Sequence, residues 1–305
     1  MAADGSKVVV IAAATVNIAI AIAKFVAAAL TGSPSMLSEA IHSVVDAGNE
    51  LLLILGMRLA RRPPDDNHPF GHGKEIYFWS FVVGMVIFGV GGGLSLYEGI
   101  LHLVHPGDLA GAAWNFIILG VAFALESVSW SIAIREFWRR KSRAQVSIWQ
   151  AIRRTKDPTV FIVLLEDTAD ILGLLVAAAA LLLVRLTHWP YWDGIGAVLI
   201  GLMLCALALI MVRESKGLLL GESARHEIVA AVQRIAAADP LVLEARCPLT
   251  MQLSPQQVLV NLEIAVKPGL TVEELREVVE RIERAVQAQF TEVERLFIEA
   301  VPPEK

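Results

Sequence analysis

Charge is scarce in this chain. Of its 305 residues only 19% are Asp, Glu, Lys or Arg, while 55% are hydrophobic, and the mean hydropathy is +0.59. Soluble domains carry about 25% charged residues, so the composition predicts a polytopic membrane protein with a smaller soluble part. Cysteine is nearly absent: Cys205 lies in an apolar run and Cys247 in the C-terminal part, and two such residues make neither a disulfide framework nor a thiolate metal site. There is no P-loop pattern, which removes ATP-driven transport, and no His-Glu-x-x-His pattern, which argues against a zinc hydrolase. Basic excess is also missing. From Leu220 onward there are 14 acidic and 9 basic residues, which accounts for the whole net charge of -5. Nucleic acid is therefore not a predicted partner.

What is present begins with six apolar runs, at residues 8–30, 36–60, 77–104, 112–134, 160–183 and 195–212. A bilayer core needs about 20 such residues. Lys and Arg set the orientation. Arg58, Arg61, Arg62 and Lys74 flank the second-to-third connection. Arg135, Arg139, Arg140, Lys141, Arg143, Arg153, Arg154 and Lys156 fill the fourth-to-fifth, and Arg213 and Lys216 follow the sixth run. The opposite side has only Arg185, so both termini are predicted cytoplasmic. The polar start before Val8 reads as the lead-in to an uncleaved first span. With no targeting signal evident, the expected location is a bacterial cytoplasmic (inner) membrane. The third run carries Gly84, Gly89, Gly91, Gly92 and Gly93, read as close packing against a neighbouring helix.

From Gly221 the texture changes. Residues 226–238 have a helical period, 242–253 and 258–266 read as strands joined by Ser254-Pro255-Gln256-Gln257, and 292–301 reads as a final strand. Residues 271–289 form an amphipathic helix, opened by Thr271 with Glu274 three residues on, a capping box. The predicted fold is an α-helical membrane protein with six transmembrane helices, residues 1–214. A cytoplasmic α+β domain of order α-β-β-α-β, metallochaperone-like, follows at residues 215–305. A domain of that size is marginal alone, so pairing with a second copy as a homodimer is expected.

The chemistry sits inside the apolar runs. Residues 38–46 read Ser-Glu-Ala-Ile-His-Ser-Val-Val-Asp, so His42 and Asp46 stack on one face of a helix. In the fifth run Glu166, Asp167 and Asp170 fall within five residues. An unpaired carboxylate in lipid costs at least a few kcal/mol, so a cation or proton must compensate it. No Lys or Arg lies in the interior of runs two to six, and Lys24 in the first is the one base at hand. Glu166 and Asp170 share a face while Asp167 is turned by about 100° from Glu166, so the three are not expected to ligate one ion together. Counting inward places Asp46 level with the fifth-run carboxylates. One nitrogen with several oxygens suits Zn2+, and also manganese, iron or cobalt. The alternative is a buried hydrogen bond at His42 and Asp46 and an ion pair with Lys24. Glu98 and Glu126 read as protonated packing residues or proton carriers. Asp65, His68 and His72, on the polar loop after the second run, form a second candidate zinc site. The alternative there is a solvated turn in which the histidines cap backbone groups.

These motifs, the six-run plan and the α+β tail together resemble the cation diffusion facilitator family. The residues around Ser147-Ile148-Trp149 and Arg153-Arg154-Thr155-Lys156-Asp157-Pro158, then Glu166-Asp167, resemble the branch that includes the ninth vertebrate zinc-transporter group. The resemblance implies a transporter, not an enzyme. It exports Zn2+ or another divalent cation from the cytoplasm in exchange for protons, as a homodimer in the lipid bilayer and with no catalytic cofactor. His42 and Asp46 fall on the family's second-span ligands, Asp167 on its fifth-span carboxylate, and Asp65, His68 and His72 on its loop site. The other fifth-span ligand falls on Val163, which cannot ligate. Glu166 or Asp170 must then substitute, or three protein ligands and a water complete the site. His226 and Cys247 are the only histidine and cysteine of the tail, so it is expected to serve mainly for dimerisation. A manganese, iron or cobalt exporter, and an intramembrane metallohydrolase, stand as alternatives.

Overall fold

Backbone polar groups in lipid must be satisfied within the chain, and long apolar runs do this as helices. The computed structural model describes residues 2–31, 34–105, 112–144 and 156–303. The helices of its first unit are α1 (Ala2–Thr31), α2 (Pro34–Leu59), α3 (Glu75–Val86), α4 (Gly93–Val104), α5 (Ala112–Ala144), α6 (Pro158–Thr187) and α7 (Tyr191–Leu220), with a π-helical segment (Ile87–Gly92) joining α3 to α4. Among the described residues, Glu75–Val104, Pro158–Thr187 and Tyr191–Leu220 are long and apolar enough to cross a bilayer. α1, α2 and α5 are also long, at 30, 26 and 33 residues. α2 carries Asp46, Asn49 and Glu50, and α5 carries Glu126 and a basic C-terminal end. α6 starts sharply because Asp157 caps the Thr159 N–H at 3.2 Å and Pro158 occupies the first turn, where its missing N–H costs nothing.

Val9, Val10, Leu53, Val83, Ile162, Val163 and Met211 are fully buried and form the centre of this unit. Leu172, Leu182, Leu186, Leu202 and Leu209 stay exposed, as lipid-facing side chains do. Two α-helices approach closely only where side chains are small. A Cβ at Gly84 would lie 2.9 Å from Val212 Cγ2, one at Gly99 2.7 Å from Val198 N, and one at Gly201 2.8 Å from Leu96 N. The glycines thus seat α3 and α4 directly on α7, and Gly92 packs against Cys205 in the same seam. Gly89 has open space around it and takes no part.

The second unit is built from residues Gly217 onward together with Ala60–Lys74. It contains α8 (His226–Ala237), β1 (Val242–Ala245), β2 (Leu249–Ser254), β3 (Gln257–Val266), α9 (Val272–Gln289) and β4 (Val293–Ala300). The single strand expected over 242–253 is two strands, so the order is α-β-β-β-α-β. The break falls at Arg246-Cys247-Pro248, where proline cannot donate to the ladder. β1 and β2 pair separately and antiparallel with β3, at Ala245↔Ile264 and Met251↔Leu259. β4 lies parallel on the other edge of β3, with Leu262 opposite Ile298. Ile228 and Val232 of α8, with Val278, Ile282 and Val286 of α9, cover one sheet face by packing on Val258, Val260, Leu262 and Ile264. The capping box of Thr271 and Glu274 opens α9 as expected. The 60–74 loop joins this unit through Lys74, whose Nζ donates to the Leu219 carbonyl at 3.3 Å. Gly73 is equally tight: a Cβ there would meet Ser254 Cβ at 2.8 Å.

Candidate metal-transport site

Polar side chains inside an apolar helical unit must find one another, and here they link four helices. On α1, Asn17 donates to Glu50 Oε1 of α2 at 2.8 Å. On α2, Asn49 donates to Glu166 Oε1 of α6 at 2.8 Å. On α5, Ser129 Oγ donates to Asp167 Oδ2 at 2.8 Å, and Trp130 Nε1 donates to Thr168 Oγ1 at 3.0 Å. Asn17, Asn49, Glu50, Ser129, Glu166 and Asp167 are all buried. Helical spacing puts Asp46, Asn49 and Glu50 on neighbouring turns of α2, so α2 faces α1 and α6 at once.

Between α2, α5, α6 and α7 lies a cavity of about 110 Å³ whose polar walls are Ser43, Asp46, Glu126 and Asp170. Asp46 and Asp170, expected at one depth on helices two and five of the sequence reading, do line the same space. One oxygen each from Glu126, Asp167 and Asp170 lie within 4.8 Å of one another. Ser129 occupies one Asp167 oxygen. Asp167 Oδ1, Asp170 Oδ2 and Glu166 Oε2 are buried without a hydrogen-bond partner among the described residues. Buried acceptors left open in this way are what a cation would satisfy. Asp170 thus lines the cavity with Asp46, whereas Glu166 is held by Asn49 at the neighbouring turn. His42 lies on α2 one turn before Asp46; its side chain, like that of Lys24, is outside the described residues. Val163 is fully buried among apolar neighbours.

Several participants escaped the sequence reading. Glu126 is not an isolated residue but a member of the cluster, while Glu98 is exposed on α4. Asn17, Asn49, Glu50 and Ser129 carried no expectation. Their signal was available: an amide and a carboxylate beside Asp46, in a run otherwise apolar, needed partners across helices.

In the second unit the loop residues also meet. Asp65 Oδ1 accepts from the backbone N–H of His68 at 2.7 Å and of Asn67 at 2.9 Å, and lies 3.1 Å from His68 Nδ1. The backbone N–H of His68 and then the His68 ring hold the Asp65 carboxyl below the usual aspartate range. His72 Nε2 is 3.4 Å from Asp65 Oδ2, and its Nδ1 is 3.3 Å from the Pro63 carbonyl. A carbonyl only accepts, so this contact puts the proton on Nδ1. Nε2 then stands beside a carboxylate oxygen, to which it donates when protonated and with which it can share a cation when it is not. The ring centroids of His68 and His72 are 4.2 Å apart, and one ligand atom each from Asp65, His68 and His72 lie within 4.8 Å of one another. The turn closes at Gly71, whose φ of 81° suits glycine.

Comparison with known proteins identifies the family. The cation efflux transmembrane domain matches residues 10–220, and the cation efflux protein cytoplasmic domain matches residues 224–302. The chain belongs to the cation efflux family, that of the cation diffusion facilitators. This cation efflux chain is 36% identical over 220 residues to the mitochondrial proton-coupled zinc antiporter SLC30A9 of Xenopus laevis, covering 72% of the chain and 39% of that protein. It is 30% identical over 212 residues to metal tolerance protein C4 of Arabidopsis thaliana, covering 70% of the chain and 46% of that protein. It is 28% identical over 264 residues to the cation-efflux pump FieF of Escherichia coli, covering 85% of the chain and 81% of the pump. The chain therefore spans less than half of the length of the animal and plant relatives. The branch resemblance to the ninth vertebrate group is met by the human antiporter as well, at 36% identity. These comparisons overturn the expected bacterial cytoplasmic membrane, since the antiporters matched are mitochondrial by name. That expectation rested on a missing targeting signal, and an absent signal specifies no membrane.

Proposed function

We propose that this cation efflux protein exchanges a divalent metal cation, Zn2+ foremost, for protons across a membrane by alternating access, and that it is not an enzyme. In this reading residues 1–214 are the transport domain and residues 215–305 pair two copies into a homodimer. The metal is bound from α2 by His42 and Asp46 and from α6 by Asp167 and Asp170, with Glu166 beside them. Asp65, His68 and His72 hold a second ion on the loop. The observation that carries the reading is the shared cavity: carboxylates of three helices line one space inside an apolar unit, and Asp170 Oδ2 there has no hydrogen-bond partner among the described residues. The zinc antiporter and efflux pump to which the chain is similar support it.

Metal binding needs ionised carboxylates and a neutral imidazole, so protons and metal compete for the same atoms. A site facing the less acidic compartment loses protons and takes the ion; facing the more acidic one, it takes protons and releases the ion. The proton gradient thus drives metal movement without nucleotide. One nitrogen among several oxygens also accepts manganese, iron or cobalt, which differ in their preference for imidazole.

The test is zinc flux into proteoliposomes under an imposed pH gradient, with wild type beside Asp46→Ala and Asp167→Ala. Gradient-dependent flux lost in both variants is expected. Flux that ignores the gradient and follows membrane potential would indicate a channel, and peptide cleavage without flux would indicate a hydrolase. A metal panel with His42→Asp places selectivity at the imidazole if zinc preference falls.

A further inference from the structure

Val163, one turn before Asp167 on α6, is sealed in the apolar core and offers no donor atom. A further donor faces Asp167 and Asp170 from a different helix. Glu126 of α5 is buried, at 7% exposure, and brings an oxygen within 4.8 Å of oxygens from both Asp167 and Asp170. Three carboxyl groups at that spacing and away from water repel one another unless something positive lies among them.

A second observation points to a ligand at the same place. Asp167 has 0% exposure; Ser129 takes its Oδ2, and its Oδ1 is left with no hydrogen-bond partner among the described residues. Asp170 Oδ2 is in the same position. Both belong to side chains of the cluster, and Asp170 opens with Asp46 and Glu126 onto the cavity of about 110 Å³. Since one water takes about 30 Å³ of liquid, that space holds an ion with a few waters.

We infer that Glu126, supplied by α5, is a further ligand of the transported metal. The inference rests on the transport reading above and deepens it. The ion is then held by three helices, α2, α5 and α6, and its shell is richer in oxygen than a site made of α2 and α6 alone. An oxygen-rich shell favours zinc less strongly over manganese than an imidazole-rich one does. Ser129, three residues on from Glu126, turns Asp167 toward the same centre, so α5 both ligates and orients.

The experiment uses the purified full-length protein, with zinc affinity measured by competition with a fluorescent chelator and zinc flux measured in proteoliposomes. Glu126→Gln keeps the shape of the side chain and removes its charge; Asp46→Asn is the control for the transport site. We expect Glu126→Gln to weaken zinc binding by about tenfold or more, as loss of metal-site support commonly does, and to abolish flux as Asp46→Asn does. If Glu126→Gln binds and moves zinc like wild type while Asp46→Asn does not, the inference fails and the transport site stands. If neither variant changes binding or flux, the transport site itself fails. Carboxyl labelling of the wild type, read by mass spectrometry, decides the matter should Glu126→Gln not fold. Zinc is expected to shield Glu126 together with Asp46 and Asp170. Labelling at Glu126 that zinc leaves unchanged, with Asp46 shielded, overturns the inference.

Discussion

The hydrogen bond between Asn49 and Glu166 ties the helix of His42 and Asp46 to the helix of Asp167 and Asp170. Its donor and acceptor are 2.8 Å apart, and both residues are buried. Replacing Asn49 by Leu conserves volume but leaves Glu166 with neither oxygen satisfied, since Oε2 already has no partner among the described residues. Hydrogen bonds to charged groups contribute about 1.5–3 kcal/mol in soluble proteins. Interhelical bonds measured within membranes average about 0.6 kcal/mol and reach about 1.7. The second scale applies here, because the unfolded helices remain in the micelle and find other partners. Glu166 is nearly enclosed and singly bonded, which puts this contact at the upper end, about 1–1.7 kcal/mol. The assay is a double-mutant cycle of Asn49→Leu and Glu166→Leu, unfolded with sodium dodecyl sulfate in mixed micelles and followed by circular dichroism. Each single variant strands a polar partner and should lose more than half of what the double variant loses, because the double strands none. A coupling energy inside the additivity scatter of about 0.3–0.5 kcal/mol would refute the contact as a tie between the two helices.

Other predictions concern the seam, the loop and the C-terminal unit. Gly201→Ala drives a Cβ to 2.8 Å from Leu96 N, and such overpacking costs about 1–3 kcal/mol. Gly89→Ala meets nothing within 4 Å and should gain up to about 1 kcal/mol in the same assay; equal effects at the two positions would contradict the seam. The Asp65 carboxyl is lowered chiefly by the His68 backbone N–H, so a carbon-13 titration should place its midpoint below the ordinary value of about 3.9. A depressed folded value means that its contribution is complete above the unfolded value and fades as pH falls through the folded one. An ordinary midpoint would dismiss the turn geometry. Thr271→Ala removes the cap that Glu274 N–H donates to, which should cost about 1 kcal/mol and speed amide exchange in the first turn of α9; unchanged exchange would contradict it.

The membrane class, the approximate helix positions, the ionisable residues on α2 and α6 and the loop triad Asp65, His68 and His72 are all legible in the sequence. Each is a local property: a run of apolar residues, a spacing of three or four, a turn-forming glycine. The division of one expected strand into β1 and β2 was less legible, because apolar alternation continues across Arg246-Cys247-Pro248 and only the proline marks the break. What tertiary structure alone decided is which buried groups meet. Periodicity states that Glu166 and Asp170 share a face, yet Asn49 holds the first and the cavity receives the second. Glu126 lies 41 and 44 residues before Asp167 and Asp170, and nothing in its own neighbourhood indicates that it joins them. A sequence specifies the face of each helix on which a side chain stands; how each helix is rotated against its neighbours is settled by packing over the whole bundle, and a metal shell drawn from several helices exists only after that packing is complete.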